Sequence, residues 1–151
     1  MKLAEALIMR ADTQNKLHEM RMRLVDSSKV QEGENPPEDP HELLKECSRL
    51  LKEQKSLIQR INKTNSFTKI DNQNNLSDLI TERDMLKQEI SILTTLVDNS
   101  LIRQDRYSKS EIKFYSTIDI GATRKNIDKL SKEYRELDTK LQGLNWTTDL
   151  L

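Results

Sequence analysis

Few residues in this 151-residue chain stand where they could do chemistry. Two arginines each interrupt an apolar helical seam. Arg10 falls between Leu7 and Leu17, and Arg83 falls between Leu79 and Leu86 with Asp84 beside it. Asn62, Thr64 and Asn65 close the second helical segment, and Asn145 and Trp146 close the last. In an antiparallel order of four helices these positions gather at one end. Two guanidinium groups near a helix N-terminus could hold a carboxylate or phosphate, because free N–H groups and the helix dipole favour anions there. Arg10, Asn62, Asn65, Arg83 and Asp84 therefore make a candidate small-anion site. A simpler reading competes with it and is favoured by the residue types. A buried charge is costly unless paired, so these groups can satisfy one another, and a long Arg side chain can reach from a core edge to water.

Other chemistry has less to stand on. Cys47 occupies a seam position on the second helix, where a free cysteine acts as a small apolar residue. His18 and His41 fall on different elements, and no Cys/His pair has the spacing of zinc ligands, so no metal is expected. A Gly-rich phosphate loop, a G-x-S-x-G elbow and a Cys/His nucleophile arrangement are all missing from the sequence. The expectation is a non-enzymatic protein without a cofactor.

The elements that would position these residues follow from apolar spacing. A first helix is predicted over about 2–26, with Leu3, Ala6, Leu7, Leu17, Met20 and Leu24 on one face. It stops before VQEGENPPEDP, where Gly33, Pro36 and Pro37 forbid continuation. A second helix, about 40–65, starts with Asp39 as cap, Pro40 at the first position and Glu42 placed for a capping box. Its seam is Leu43, Cys47, Leu50, Gln54, Leu57, Ile61 and Thr64, and a second column, Leu44, Leu51 and Ile58, predicts a helix deep in a bundle core. A third helix, about 77–102, is apolar over most of its C-terminal half through Ile90, Ile92, Leu93, Leu96 and Val97. Such a helix must be enclosed by neighbours or by another chain. A fourth, about 119–145, keeps a narrow coiled-coil-like seam from Ile120 to Leu144, which suits an edge position.

One segment breaks the helical period. SEIKFYSTIDI alternates Ile112, Phe114, Ser116 and Ile118 against Glu111, Lys113, Tyr115 and Thr117, which predicts a short strand over about 110–118. A lone strand needs a partner. The extended Lys29-Val30-Gln31 of the first loop, or a second copy, would supply it. The predicted fold is thus a single all-α domain, an up-down four-helix bundle with a short β element between helices three and four.

Composition agrees. Three Gly and three Pro are too few for a sandwich or barrel. Lys and Arg total 25 against 25 Asp and Glu, so no electrostatic drive toward nucleic acid or an anionic membrane exists. The opening MKLAEALIMRAD is broken by Glu5 and closed by Arg10 and Asp12, so it forms no export signal, and no apolar run reaches a membrane span. A single cysteine makes no internal disulfide. The compartment expected is the cytoplasm.

Several blocks, MKLAEALIMRAD, VQEGENPPEDP, LIQRINKTN, TERDMLK, RYSKSEIKFYSTIDI and LNWTTDLL, together resemble the septicolysin-like family of small bacterial proteins. Where that family's blocks carry Arg, this chain has Lys63 and Glu82. The resemblance implies a small helical protein, and the family name implies a membrane-active, cytolytic role. The residues argue against a thiol-activated cytolysin, since Trp146 is the only Trp and Cys47 lies far from it.

The function expected is a cytoplasmic scaffold or interaction protein whose partner is itself. Ile92 and Leu96 of the third helix and Ile112 and Phe114 of the strand would form the self-association surface. A membrane-active protein and a binder of a small anion at the Arg10/Arg83 end are the alternatives.

Overall fold

The computed structural model describes residues 1–102 and 112–151. It contains four helices, α1 (Leu3–Asp26), α2 (Pro40–Phe67), α3 (Leu76–Ser100) and α4 (Ile120–Thr147). No sheet occurs among the described residues, so the chain is all-α. It divides into two compact units, one of residues 1–76 with 142–151, the other of residues 77–141.

The first unit is built on the α1/α2 pair. Met20, Leu43 and Leu50 form its buried centre, with Leu17, Leu24 and Cys47 packed against them. Three and four residue steps on both helices place these side chains face to face. The turn between the helices is held at several points. The Ser27 N–H closes α1 on the Arg23 carbonyl at 3.1 Å. Gly33 takes a left-handed φ of +84° that a Cβ would oppose. Arg23 then grips Glu38 through two nitrogens, Nε at 2.8 Å. The hydrogen bond and charge of Arg23 hold the Glu38 carboxyl below its usual range.

Asp39 caps α2 by accepting from the His41 N–H at 2.9 Å, with Pro40 opening the helix as expected. Glu42 does not turn back to complete the capping box. It bonds the Lys45 ammonium at 2.6 Å, because a cation one turn ahead competes for the carboxylate. Leu43, Leu50, Leu57 and Ile61 are buried along α2, but the second column, Leu44, Leu51 and Ile58, is exposed. Beyond α2 the Asn-rich segment folds into a small turn. Lys69 and Asn75 form an antiparallel bridge, and one Asp71 carboxylate oxygen accepts the N–H groups of Gln73 and Asn74, each at 2.8 Å.

In the second unit, α3 and α4 run antiparallel, since rising positions on α3 meet falling positions on α4. Arg83 meets Asp138, and further along Lys87 and Ile90 face Tyr134, Arg135 and Ser131. Leu79, Val97, Leu130 and Leu141 are buried. Asp119 opens α4 by accepting from the Ala122 N–H at 2.9 Å.

The expected strand is not formed. Residues 112–118 carry no strand, and 110 and 111 lie outside the described residues. Ile112, Lys113, Phe114 and Tyr115 are exposed in succession, so no alternation of burial fixes a register. Alternating β-branched and aromatic residues favour extended backbone, but a strand exists only with a ladder partner. The isolated bridges of the described residues, Lys2 with Asp149 and Lys69 with Asn75, both belong to the first unit.

Candidate functional site

The residues singled out in the sequence divide between the two units. Arg10 lies on α1, and Asn62 and Asn65 lie near the end of α2. Arg10 is half-buried and enters no ion pair among the described residues. Asn62 is exposed. The Asn65 side-chain oxygen is buried without a hydrogen-bond donor among the described residues.

Arg83 and Asp84 lie on α3 and touch each other. The Arg83 Nε and one terminal nitrogen donate to the same Asp84 carboxylate oxygen at 3.0 and 2.8 Å, and the other terminal nitrogen donates to Asp138 at 3.2 Å. Burial of the guanidinium disfavours its charge, but the hydrogen bonds and charges of Asp84 and Asp138 outweigh this and raise its pKa. All three nitrogens of Arg83 are therefore engaged by carboxylates. Asp138 was missed from the sequence. It sits one residue past Leu137 of the α4 seam, and only the pairing register of α3 with α4 reveals it.

A second polar constellation, also missed, closes the first unit. The Leu3 N–H donates to the Thr148 carbonyl and the Leu150 N–H to the Met1 carbonyl, both at 2.9 Å. The Lys2 ammonium lies 2.8 Å from the Asp149 carboxylate and donates to the Thr147 carbonyl at 3.1 Å. The Leu151 N–H donates to the Thr64 hydroxyl at 3.0 Å, and the Arg60 Nε donates to the Leu151 oxygen at 2.9 Å. Thr64, read from sequence as one of the polar residues closing the helix, is fully buried and also donates to the Arg60 carbonyl at 2.9 Å. The LNWTTDLL ending thus acts as a clasp across the start of α1 and the end of α2.

Two clefts mark the second unit. One of about 280 Å³ lies between α3 and α4, lined by Lys87, Ile90, Ser131, Tyr134 and Arg135. The other, about 320 Å³, lies where residues 114–117 approach the end of α3, with Leu101, Ile102, Phe114 and Tyr115 on its walls. No group of His, Cys, Asp and Glu residues that could hold a metal occurs among the described residues. Cys47 is a free thiol, half-buried, and His18 and His41 are exposed. No helix among the described residues is long and apolar enough to cross a membrane.

Fold and site together define an all-α protein of two helical units, one clasped by its chain ends and one cross-linked by an arginine between two aspartates. Residues 10–150 match the model of a family of unknown function, DUF6847, and the chain belongs to that family. A crystal structure of a functionally unknown conserved protein from Corynebacterium diphtheriae is similar to it throughout. The two are 44% identical, the match covers 100% of this chain and 99% of that one, and the TM-score is 0.93. No curated protein matches the chain. These findings overturn the resemblance to the septicolysin-like family. Three of its blocks, MKLAEALIMRAD, LIQRINKTN and TERDMLK, lie mostly inside α1, α2 and α3, where mixed charged and apolar residues are what any amphipathic helix carries.

Proposed function

We propose that the protein is a non-enzymatic, cytoplasmic helical scaffold, its helices in up-down order, that associates with a second copy of itself. One observation carries this reading: large apolar side chains stand exposed on α3 and on the segment that follows it. Ile92 and Leu96 of α3 are 59% and 41% exposed, and Ile112 and Phe114 are 76% and 79% exposed. Met85, Leu101, Ile102 and Tyr115 of the same unit are exposed as well. Single exposed apolar residues are ordinary, but eight on α3 and its following segment offer apolar area for a contact. Aliphatic side chains are complementary to themselves, as a two-fold interface requires. A chain with 25 positive and 25 negative residues meets no net repulsion from its own copy.

The test is sedimentation velocity at micromolar concentration. The expected result is a species heavier than the 17.7 kDa chain. An Ile92→Glu/Leu96→Glu double variant should return it to a monomer with unchanged helical circular dichroism. A wild-type chain that stays monomeric throughout the micromolar range refutes the proposal.

A further inference from the structure

The cleft between α3 and α4 brings together donors that nothing else in the described chain uses. Lys87 lies on α3 and Arg135 on α4, and both line the same cleft. Each has an aspartate three residues away on its own helix, Asp84 for Lys87 and Asp138 for Arg135, at a spacing that ordinarily makes an ion pair. Elsewhere the chain uses that spacing: Lys45 pairs with Glu42, and Arg49 with Glu46. Here one oxygen of each aspartate is engaged by Arg83, and neither aspartate pairs with Lys87 or Arg135. Lys87 and Arg135 are left without an ion-pair partner among the described residues, two positive charges on one cleft.

The rest of the lining adds two hydroxyls to a surface that is mostly apolar. Ser131 and Tyr134 are half-buried, and no hydrogen bond engages either hydroxyl among the described residues. Both can donate, as can the ammonium and the guanidinium. Ile90 and the Tyr134 ring supply an apolar wall. Four donor side chains, no carboxylate in the lining, and an apolar wall describe a site for an anionic group carried on a compact apolar body. An anion seated there would take charge-assisted hydrogen bonds from both cations.

We infer that this α3–α4 cleft binds a small aromatic or branched organic acid, its carboxylate or phosphate held by Lys87, Arg135 and the two hydroxyls, its apolar body against Ile90 and Tyr134. A cavity of about 280 Å³ is near the lower end of the range for small-molecule sites, which restricts the ligand to about one ring. Arg83 belongs to the site as a positioning residue, since by holding Asp84 and Asp138 it keeps both carboxylates from the cations.

Protein-detected NMR titration of the full chain tests this, with benzoate and phenyl phosphate as probes. Acetate and inorganic phosphate control for the headgroup, and benzyl alcohol and benzylammonium for the body. The expected result is saturable shifts at Lys87, Ile90, Ser131 and Arg135 for the two aromatic anions, stronger than for acetate or phosphate, and none for the neutral or cationic analogues. Lys87→Gln and Arg135→Gln keep length and helix propensity, and each should weaken binding about tenfold. Tyr134→Phe should weaken it less, with the fold intact. Arg83→Gln should also weaken it, because the freed aspartates can then pair with Lys87 and Arg135. The inference is overturned if no aromatic anion saturates, if benzylammonium binds as well as benzoate, or if the Lys87→Gln/Arg135→Gln double variant binds like wild type.

Discussion

Replacing Thr64 with valine should loosen the clasp of the first unit by an amount that its contacts fix. The side chain is fully buried, and valine has nearly the same shape, so packing is kept. What changes is one oxygen with two hydrogen bonds. Its donation to the Arg60 carbonyl costs little to lose, because that carbonyl still accepts the helical bond from the Thr64 N–H. Its acceptance from the Leu151 N–H has no such substitute. A partly buried donor left without an acceptor costs about 1–3 kcal/mol, and the new methyl group recovers about 0.8 kcal/mol. The net cost is roughly 1 kcal/mol, a fall in Tm of roughly 2–4 °C for a chain of this length. Arg60 holds the oxygen of the same residue, Leu151, so the two substitutions must be coupled. Thermal denaturation of Thr64→Val, Arg60→Met and the double variant should give a combined loss smaller than the sum. Hydrogen exchange at the Leu150 and Leu151 amides should rise in each single variant. A Thr64→Val protein with wild-type Tm and protection, or losses that simply add, would refute the clasp.

Two other substitutions probe single features. Asp149→Asn should lower Tm at neutral pH and lose its effect in acid. Lys2, by hydrogen bond and charge, holds the Asp149 carboxyl below its ordinary value of 3.8, so the pair's contribution is present above that value and disappears as pH falls through the lower folded one. Melting curves of both proteins from neutral pH to below 3 should converge, and a constant difference would sink the assignment. Gly33→Ala should cost about 1 kcal/mol in urea denaturation, since at φ +84° an added Cβ meets nothing within 4 Å and only the backbone opposes it. Gly33→Asn should cost less, and equal stability of Ala and Gly would contradict the left-handed turn.

Helix existence and ends were legible because they depend on local signals. Asp39 and Pro40 start α2, Gly33, Pro36 and Pro37 stop the chain after α1, and the observed ends lie within two residues of those read from the seams. The strand was misread because alternation over residues 112–118 is a local preference, whereas a ladder depends on a partner that local sequence does not specify. The candidate site was legible by halves. Arg83 and Asp84 announced themselves by interrupting an apolar seam, and they do form an ion pair. Asp138, Lys87, Ser131, Tyr134 and Arg135 did not, because each is an ordinary member of a charged helix until the α3/α4 register sets them side by side. The terminal clasp was invisible for a related reason. Lys2 and Asp149 are 147 residues apart in sequence and are brought side by side by main-chain pairing that carries no residue signature.

The α2 helix bears on the self-association reading as well as α3. Its two apolar columns, Leu43–Leu50–Leu57 and Leu44–Leu51–Ile58, differ by one residue, hence by about 100° around the helix. On composition alone both look like core, and both were read so. The first column is buried, but the second runs exposed for about 21 Å along the helix. Fully burying a leucine or isoleucine is worth about 1.5–3 kcal/mol, so the exposed column withholds a large stabilisation from the isolated chain. Its flank is compatible with a neighbour. Lys45 is already paired with Glu42, and Arg49 with Glu46 and Glu53, so a partner arriving on the stripe would not have to neutralise these cations. Exposed stripes at heptad spacing on α2 and at Met85, Ile92 and Leu96 on α3 each lack a cover within one copy. A second copy offers the same spacing on its own helices, and ridge-into-groove packing of like stripes needs nothing the sequence does not already hold.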